Sequence, residues 1–143
     1  MDTAYKTLPD GVALVSAASN EDARGRLLAL EHGSPVPFVP VRTFVILDVP
    51  AGQPRAGHAF SCHEFLLVLN GSCTVTVDDG QKRLRLRLRA KEYGLNVSPG
   101  VWVGLDDFEC GTVLMVLASK SFCDTQYFPN PQPALIAAHA LQA

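Results

Sequence analysis

The sequence lacks most of what would mark a membrane, secreted or nucleic-acid-binding protein. No apolar run approaches the roughly 18 residues that a spanning helix needs. Residues 1–10 show no basic stretch followed by an apolar one, so neither a membrane segment nor a secretory leader is expected, and the setting reads as cytoplasmic. Charge is sparse: 18% of residues are charged and the formal net charge is -2. That balance argues against holding a nucleic-acid polymer by bulk positive charge, and it says nothing against a small anion held by one or two well-placed arginines. There is also no Cys-x-x-Cys pair. Cys62, Cys73, Cys110 and Cys123 are widely spaced, which excludes a zinc ribbon and a thioredoxin-like motif. They read as reduced thiols that mostly fill core positions.

What the chain does have is strand-like patterning. Its 143 residues, 48% of them hydrophobic, suffice for one domain with its own core. Short apolar runs recur at 27–30, 41–49, 64–69, 73–77, 84–88, 95–97 and 112–118. Between them lie turn-forming clusters such as Pro50-Ala51-Gly52, Asn70-Gly71, Asp78-Asp79-Gly80 and Ser98-Pro99-Gly100. This spacing predicts an all-β antiparallel sandwich or barrel. Asn70-Gly71 and Asp79-Gly80 each predict a tight hairpin, because both residues tolerate the positive φ that such turns require. The stretch Leu84-Arg85-Leu86-Arg87-Leu88-Arg89 alternates strictly, placing leucines on the core and arginines on a solvated face. One short helix is expected at the C-terminus, with Pro133 near its start and Ala134 to Ala143 following.

The stretch Arg55-Ala56-Gly57-His58-Ala59-Phe60-Ser61-Cys62-His63-Glu64 puts a histidine and then a carboxylate on strands. Further on come Gly94-Leu95-Asn96 and Pro99-Gly100-Val101-Trp102, and in register with these Arg42, Asp48, Leu69-Asn70-Gly71, Asp78-Asp79-Gly80, Asp107-Phe108 and Tyr127. Over residues 22–128 this set resembles the dTDP-4-keto-6-deoxyglucose 3,4-ketoisomerases, the FdtA/QdtA, WxcM-like cupins. The resemblance implies a cupin-type antiparallel β-barrel (jelly roll) over residues 21–128. Residues 1–20 would then form an arm or edge strand, and 129–143 a tail with the helix. It further implies a nucleotide-sugar substrate, a homodimer, and a keto shift between C4 and C3 by base-mediated enolisation. No metal or other cofactor is expected, since His58 and Glu64 alone would make a poor metal site.

In that family a His-Ala-His pair on one strand face and a tyrosine from the preceding strand carry the protons. Here His58 matches the general base, whereas Phe60 stands in the second histidine's place and Phe44-Val45 in the tyrosine's. Asn96 and Val103 also replace polar family residues. Glu64 is a candidate proton carrier, because a carboxyl in an apolar barrel has a raised pKa; a salt bridge to Arg55 or Arg42 is its alternative role. Tyr93 is a further candidate hydroxyl. Arg42 and Arg55 suit a diphosphate through their planar forks, and Phe60, Asn96 and Trp102 complete the candidate binding set. His63, alternating with Glu64, is expected to face outward. Two functional readings follow. One is an active isomerase with His58 as base and Glu64 or Tyr93 as acid. The other is a catalytically degenerate cupin that binds a nucleotide sugar or another small ligand without turnover.

Overall fold

Alternation of apolar and polar residues along the strands decides the layering, because successive side chains point to opposite faces of a sheet. The computed structural model describes residues 7–17, 19–33 and 35–140. The first six residues of the expected arm and residues 141–143 of the expected helix lie outside them. The chain begins with β1 (Val12–Ser16), β2 (Ser19–Asp22), β3 (Gly25–Leu28), β4 (Glu31–His32) and β5 (Pro35–Val36). The middle holds β6 (Arg42–Leu47), β7 (Arg55–Phe60), β8 (Glu64–Asn70), β9 (Ser72–Asp78) and β10 (Arg83–Arg89). β11 (Tyr93–Val97), β12 (Trp102–Asp106), β13 (Val113–Ala118), β14 (Tyr127–Phe128) and α1 (Pro133–Ala140) complete it.

Two five-stranded antiparallel sheets face each other, in the orders β1-β11-β8-β13-β6 and β10-β9-β12-β7-β14. They form the jelly roll that the sequence suggested, as a sandwich of two sheets. Between them lies the main core, with Leu66, Val68, Leu95 and Leu114 from the first sheet against Val75, Val77, Leu88 and Val103 from the second. β1 lies at one edge of the first sheet, paired with β11. A smaller core of Val36, Phe38, Phe65, Leu67 and Leu117 sits on the outer face of the first sheet, with Leu28 and Leu30 packed against it. The segment from β3 to Phe38 thus covers a face that would otherwise be apolar and wet.

Of the two expected hairpins, one forms and one does not. β9 and β10 pair antiparallel, joined by four residues, with Asp78 opposite Arg83. The Asp79 carboxylate accepts hydrogen bonds from the amides of Gln81, Lys82 and Asp10, which fixes the loop and ties the N-terminal segment to it. Asn70-Gly71 instead marks a corner where the chain leaves the first sheet for the second, since β8 and β9 belong to different sheets. Gly71 has φ 81°, and a Cβ there would stand 2.5 Å from the Thr112 hydroxyl oxygen, so the corner packs directly on the neighbouring loop. The Asn-Gly signal encodes the backbone conformation; what the following strand pairs with is decided by the core.

The alternating Leu/Arg strand is β10, with Leu86 and Leu88 buried. Its arginines meet acids of the same outer face. Arg85 reaches Asp106 at 3.6 Å and Arg87 reaches Asp107 at 3.0 Å, while Arg87 also donates to Ser72 Oγ and Thr74 Oγ1. All four cysteines are free; Cys62 and Cys73 are buried, and Cys110 and Cys123 are exposed, so half of them fill core positions. α1 lies against the Gly100 turn, burying Ile136. His63 faces away from the sandwich interior but is not a free surface residue. It stacks on Phe38 at 5.5 Å and meets the His139 ring edge-on at 5.3 Å, and burial together with His139 pushes its pKa down.

Candidate active site

At one end the sandwich opens into a cavity of about 610 Å³, within the usual size range for small-molecule sites. Three strands carry its polar groups: β7 brings His58, β8 brings Glu64 and β6 brings Arg42, while Arg55 stands at the mouth. The remaining lining is apolar or aromatic and comes from both sheets, together with Phe122 and Tyr127 from the C-terminal segment.

His58 follows directly after a bulge. Val103 pairs with His58 but Gly104 pairs with Ala56, so Gly57 is the extra residue in β7. Gly57 has φ 98° and Ala56 has φ 60°. Glycine adopts such angles without steric cost, whereas an L-residue in the left-handed region loses about 1 kcal/mol. Bulges beside functional sites re-aim side chains, and this one precedes the residue that matters most. The His58 ring lies 5.5 Å from Phe60 and 5.3 Å from Tyr127, the latter nearly edge-on. Tyr127 is held there because β14 pairs with the end of β7, placing it opposite Phe60.

Glu64 opens β8, flanked by Val97 of β11 and Ala118 of β13, in the middle of the first sheet. It is only 4% exposed, and no protein group hydrogen-bonds its Oε2. Burial pushes its pKa up to about 7, with the Arg42 charge pulling the other way. Among the described residues no ion pair joins Glu64 to Arg42 or Arg55, so the salt-bridge alternative is not what the structure shows. The Arg42 guanidinium lies instead over the Phe44 and Phe122 rings, at 5.1 and 5.8 Å from their centroids. Its Nε is buried and also without a protein partner. A protonatable carboxyl and an unpaired guanidinium therefore share one cavity.

Of the eight residues singled out in the sequence, five line this cavity: His58, Glu64, Arg42, Arg55 and Phe60. The other three do not. Tyr93 starts β11 opposite Ser16 and packs on the main core away from the cavity. Asn96 alternates with the inward Leu95 and Val97, so it turns to the outer face of the first sheet, across from Phe65. Trp102 alternates with the inward Val103 and lies on the outer face of the second sheet, close over Gly104, with the Arg83 guanidinium 5.0 Å from its ring. Conversely, Phe122 and Tyr127 line the mouth although sequence reasoning assigns them no role there, for Phe122 lies outside the strands and Tyr127 in one of only two residues, too short to show a periodicity. Among the described residues no group of three or more His, Cys, Asp or Glu side chains is placed to hold a metal ion.

The family model described as FdtA, WxcM-like, C-terminal matches residues 10–136. The chain belongs to the FdtA family. A relative of this FdtA-family chain is the TDP-4-oxo-6-deoxy-alpha-D-glucose-3,4-oxoisomerase of Aneurinibacillus thermoaerophilus, 41% identical over 107 residues, which are 74% of this chain and 77% of that protein. A double mutant of the QdtA 3,4-ketoisomerase of Thermoanaerobacterium thermosaccharolyticum, solved with TDP, superimposes with a TM-score of 0.81 at 31% identity, covering 86% of this chain and 90% of QdtA. The WlaRB TDP-quinovose 3,4-ketoisomerase of Campylobacter jejuni gives 0.78 at 30% identity, covering 83% and 92%. A point mutant of QdtA has also been solved with TDP-4-keto-6-deoxyglucose; that structure gives a TM-score of 0.81 at 28% identity, covering 94% of this chain and 97% of QdtA.

Proposed function

We propose that this FdtA-family protein is a sugar-nucleotide 3,4-ketoisomerase that moves a keto group between C4 and C3 of a TDP-linked 4-keto-6-deoxyhexose. The carrying observation is the pairing, in one cavity, of His58 with a buried Glu64 whose pKa lies near 7. The family relatives described above, with their TDP and TDP-sugar ligands, supply the substrate class.

Two proton carriers suffice for the reaction. His58 takes the proton from C3, the C3–H electron pair becomes the C3=C4 double bond, and the C4 carbonyl oxygen takes up the displaced pair. Glu64, neutral below its pKa, protonates that oxygen and gives an enediol. Glu64 as carboxylate then removes the proton from the C3 oxygen, whose electron pair forms the new C3 carbonyl. The double-bond pair receives at C4 the proton that His58 holds. Both carriers end as they began. Positioned acid–base groups of this kind contribute about 10²–10⁴-fold each. Arg42 and Arg55 anchor the diphosphate with charge-assisted hydrogen bonds, and cation–π contact with the Phe44 and Phe122 rings helps hold the Arg42 fork in place.

The protein acts in the cytoplasm as a homodimer. β6 supports the dimer, being an edge strand of the first sheet with Val45 and Leu47 exposed along it and Val41 exposed just before it. Incubating the protein with TDP-4-keto-6-deoxyglucose and following the sugar by proton NMR tests the activity. A 3-keto sugar nucleotide is the expected product, and an unchanged sugar with ligand-induced shifts in the protein would contradict the proposal.

A further inference from the structure

Phe122 is the most exposed large apolar side chain among the described residues, at 66%. A lone exposed aromatic on a surface calls for no explanation. This one lines the cavity, with its ring centroid 5.8 Å from the Arg42 guanidinium and 6.1 Å from the Tyr127 ring. The loop that carries it is held at several points. The Phe122 carbonyl accepts from the Thr125 amide, the Thr125 hydroxyl donates to the Ser121 carbonyl, and Gln126 exchanges hydrogen bonds with Ser61, just after β7. The ring is thus fixed in place with most of its surface in water, an order that a ligand need not impose when it binds.

The hexose of a nucleotide sugar belongs beside His58 and Glu64, and its diphosphate with Arg42, inside the cavity, and Arg55, at the mouth. The nucleoside then leaves the cavity, and its base stands one ribose away from the phosphates. Phe122, beside Arg42 and open to water, is a flat apolar surface within that reach, and every nucleobase has a π-face to lay on it. Tyr127 is the other exposed aromatic at the mouth, but its ring is already engaged edge-on with His58 and Phe60. We infer that Phe122 is the platform on which the thymine base of the TDP-linked sugar stacks. This inference rests on the nucleotide-sugar ligand of the ketoisomerase reading and adds to it the residue that holds the base.

The test titrates TDP and inorganic pyrophosphate by calorimetry into the parent protein, Phe122→Ala and Phe122→Trp. Stacking of a base on one aromatic ring is worth about five- to a hundredfold in affinity. Phe122→Ala should therefore weaken TDP by about that factor more than it weakens pyrophosphate, which meets the arginines and carries no base. With TDP-4-keto-6-deoxyglucose the loss should fall on KM rather than on kcat. Phe122→Trp should restore TDP binding, and its fluorescence should be quenched by TDP but not by pyrophosphate. Trp102, the chain's one tryptophan, lies on the outer face of the second sheet, and the parent protein gives its background. TDP binding unchanged by Phe122→Ala overturns the inference. Equal losses for the two ligands also overturn it, because the ring would then act only as a support for Arg42. TDP binding that depends on Phe122 without conversion of the sugar upholds the inference and overturns the isomerase reading. No binding of TDP by the parent overturns the inference.

Discussion

Replacing Glu64 by glutamine isolates the energetic cost of the buried carboxyl. Its pKa rises from an ordinary 4.5 to about 7 because the side chain is buried, and a raised carboxyl pKa means that the folded state binds the proton more tightly than the unfolded state. Below pH 4.5 both states are protonated and the group contributes no pH dependence. Between pH 4.5 and 7 the unfolded chain ionises first, so each pH unit removes about 1.4 kcal/mol from the folded state. Above pH 7 both forms are ionised and the loss levels off at about 3 kcal/mol. A glutamine amide never ionises, so Glu64→Gln should match the parent in stability near pH 4.5 and exceed it by about 3 kcal/mol at about pH 8.5. For a chain of this length that corresponds to roughly 10 °C in Tm. Urea unfolding of both proteins at the two pH values measures the difference, and comparing differences cancels every other titrating group. A stability gap that does not grow with pH would refute the buried, unpaired placement of Glu64.

The same substitution should cut turnover by about 10²–10⁴-fold, and in the parent the rate should fall as pH climbs through 7, where Glu64 loses the proton it must donate; initial rates across a pH series check both. Arg42→Ala should weaken TDP binding by about ten- to a hundredfold with little change in fold stability, because the guanidinium makes no ion pair among the described residues; titration calorimetry reads this directly. Ala56→Gly relieves the left-handed strain at φ 60° and should stabilise the protein by up to about 1 kcal/mol in urea unfolding, less what the added chain freedom removes.

Much of this architecture is legible in the residues, and the failures have identifiable causes. Period-two alternation places Leu84, Leu86 and Leu88 on one face of β10, and the observed burial follows it. The same alternation turns Asn96 away from Leu95 and Trp102 away from Val103, so placing those two in the site runs against a signal already present in the residues. Tyr93 shares the inward parity, and its distance from the cavity depends on where β11 sits in the sheet, which no local pattern reports. The Asn70-Gly71 corner shows the same limit: turn chemistry specifies φ, while strand partners are chosen by burial. Tyr127 and Phe122 reach the cavity through the pairing of a two-residue strand with β7, a contact made across 67 positions from Phe60 to Tyr127. His58, Glu64, Phe60, Arg42 and Arg55, which line the cavity, are legible because the motifs that carry the family resemblance mark their positions, although they come from facing sheets, with Arg55, His58 and Phe60 on β7, Glu64 on β8 and Arg42 on β6.

The role of His58 as the base acting on C3 is the central claim. Its most direct test is deuterium incorporation at C3 of a TDP-linked 4-keto-6-deoxyhexose in deuterated buffer, followed by proton NMR for the parent protein and for His58→Ala. Loss of the C3 proton signal together with a 3-keto product is expected in the parent, and neither in the variant. Exchange at C3 that survives His58→Ala would contradict it.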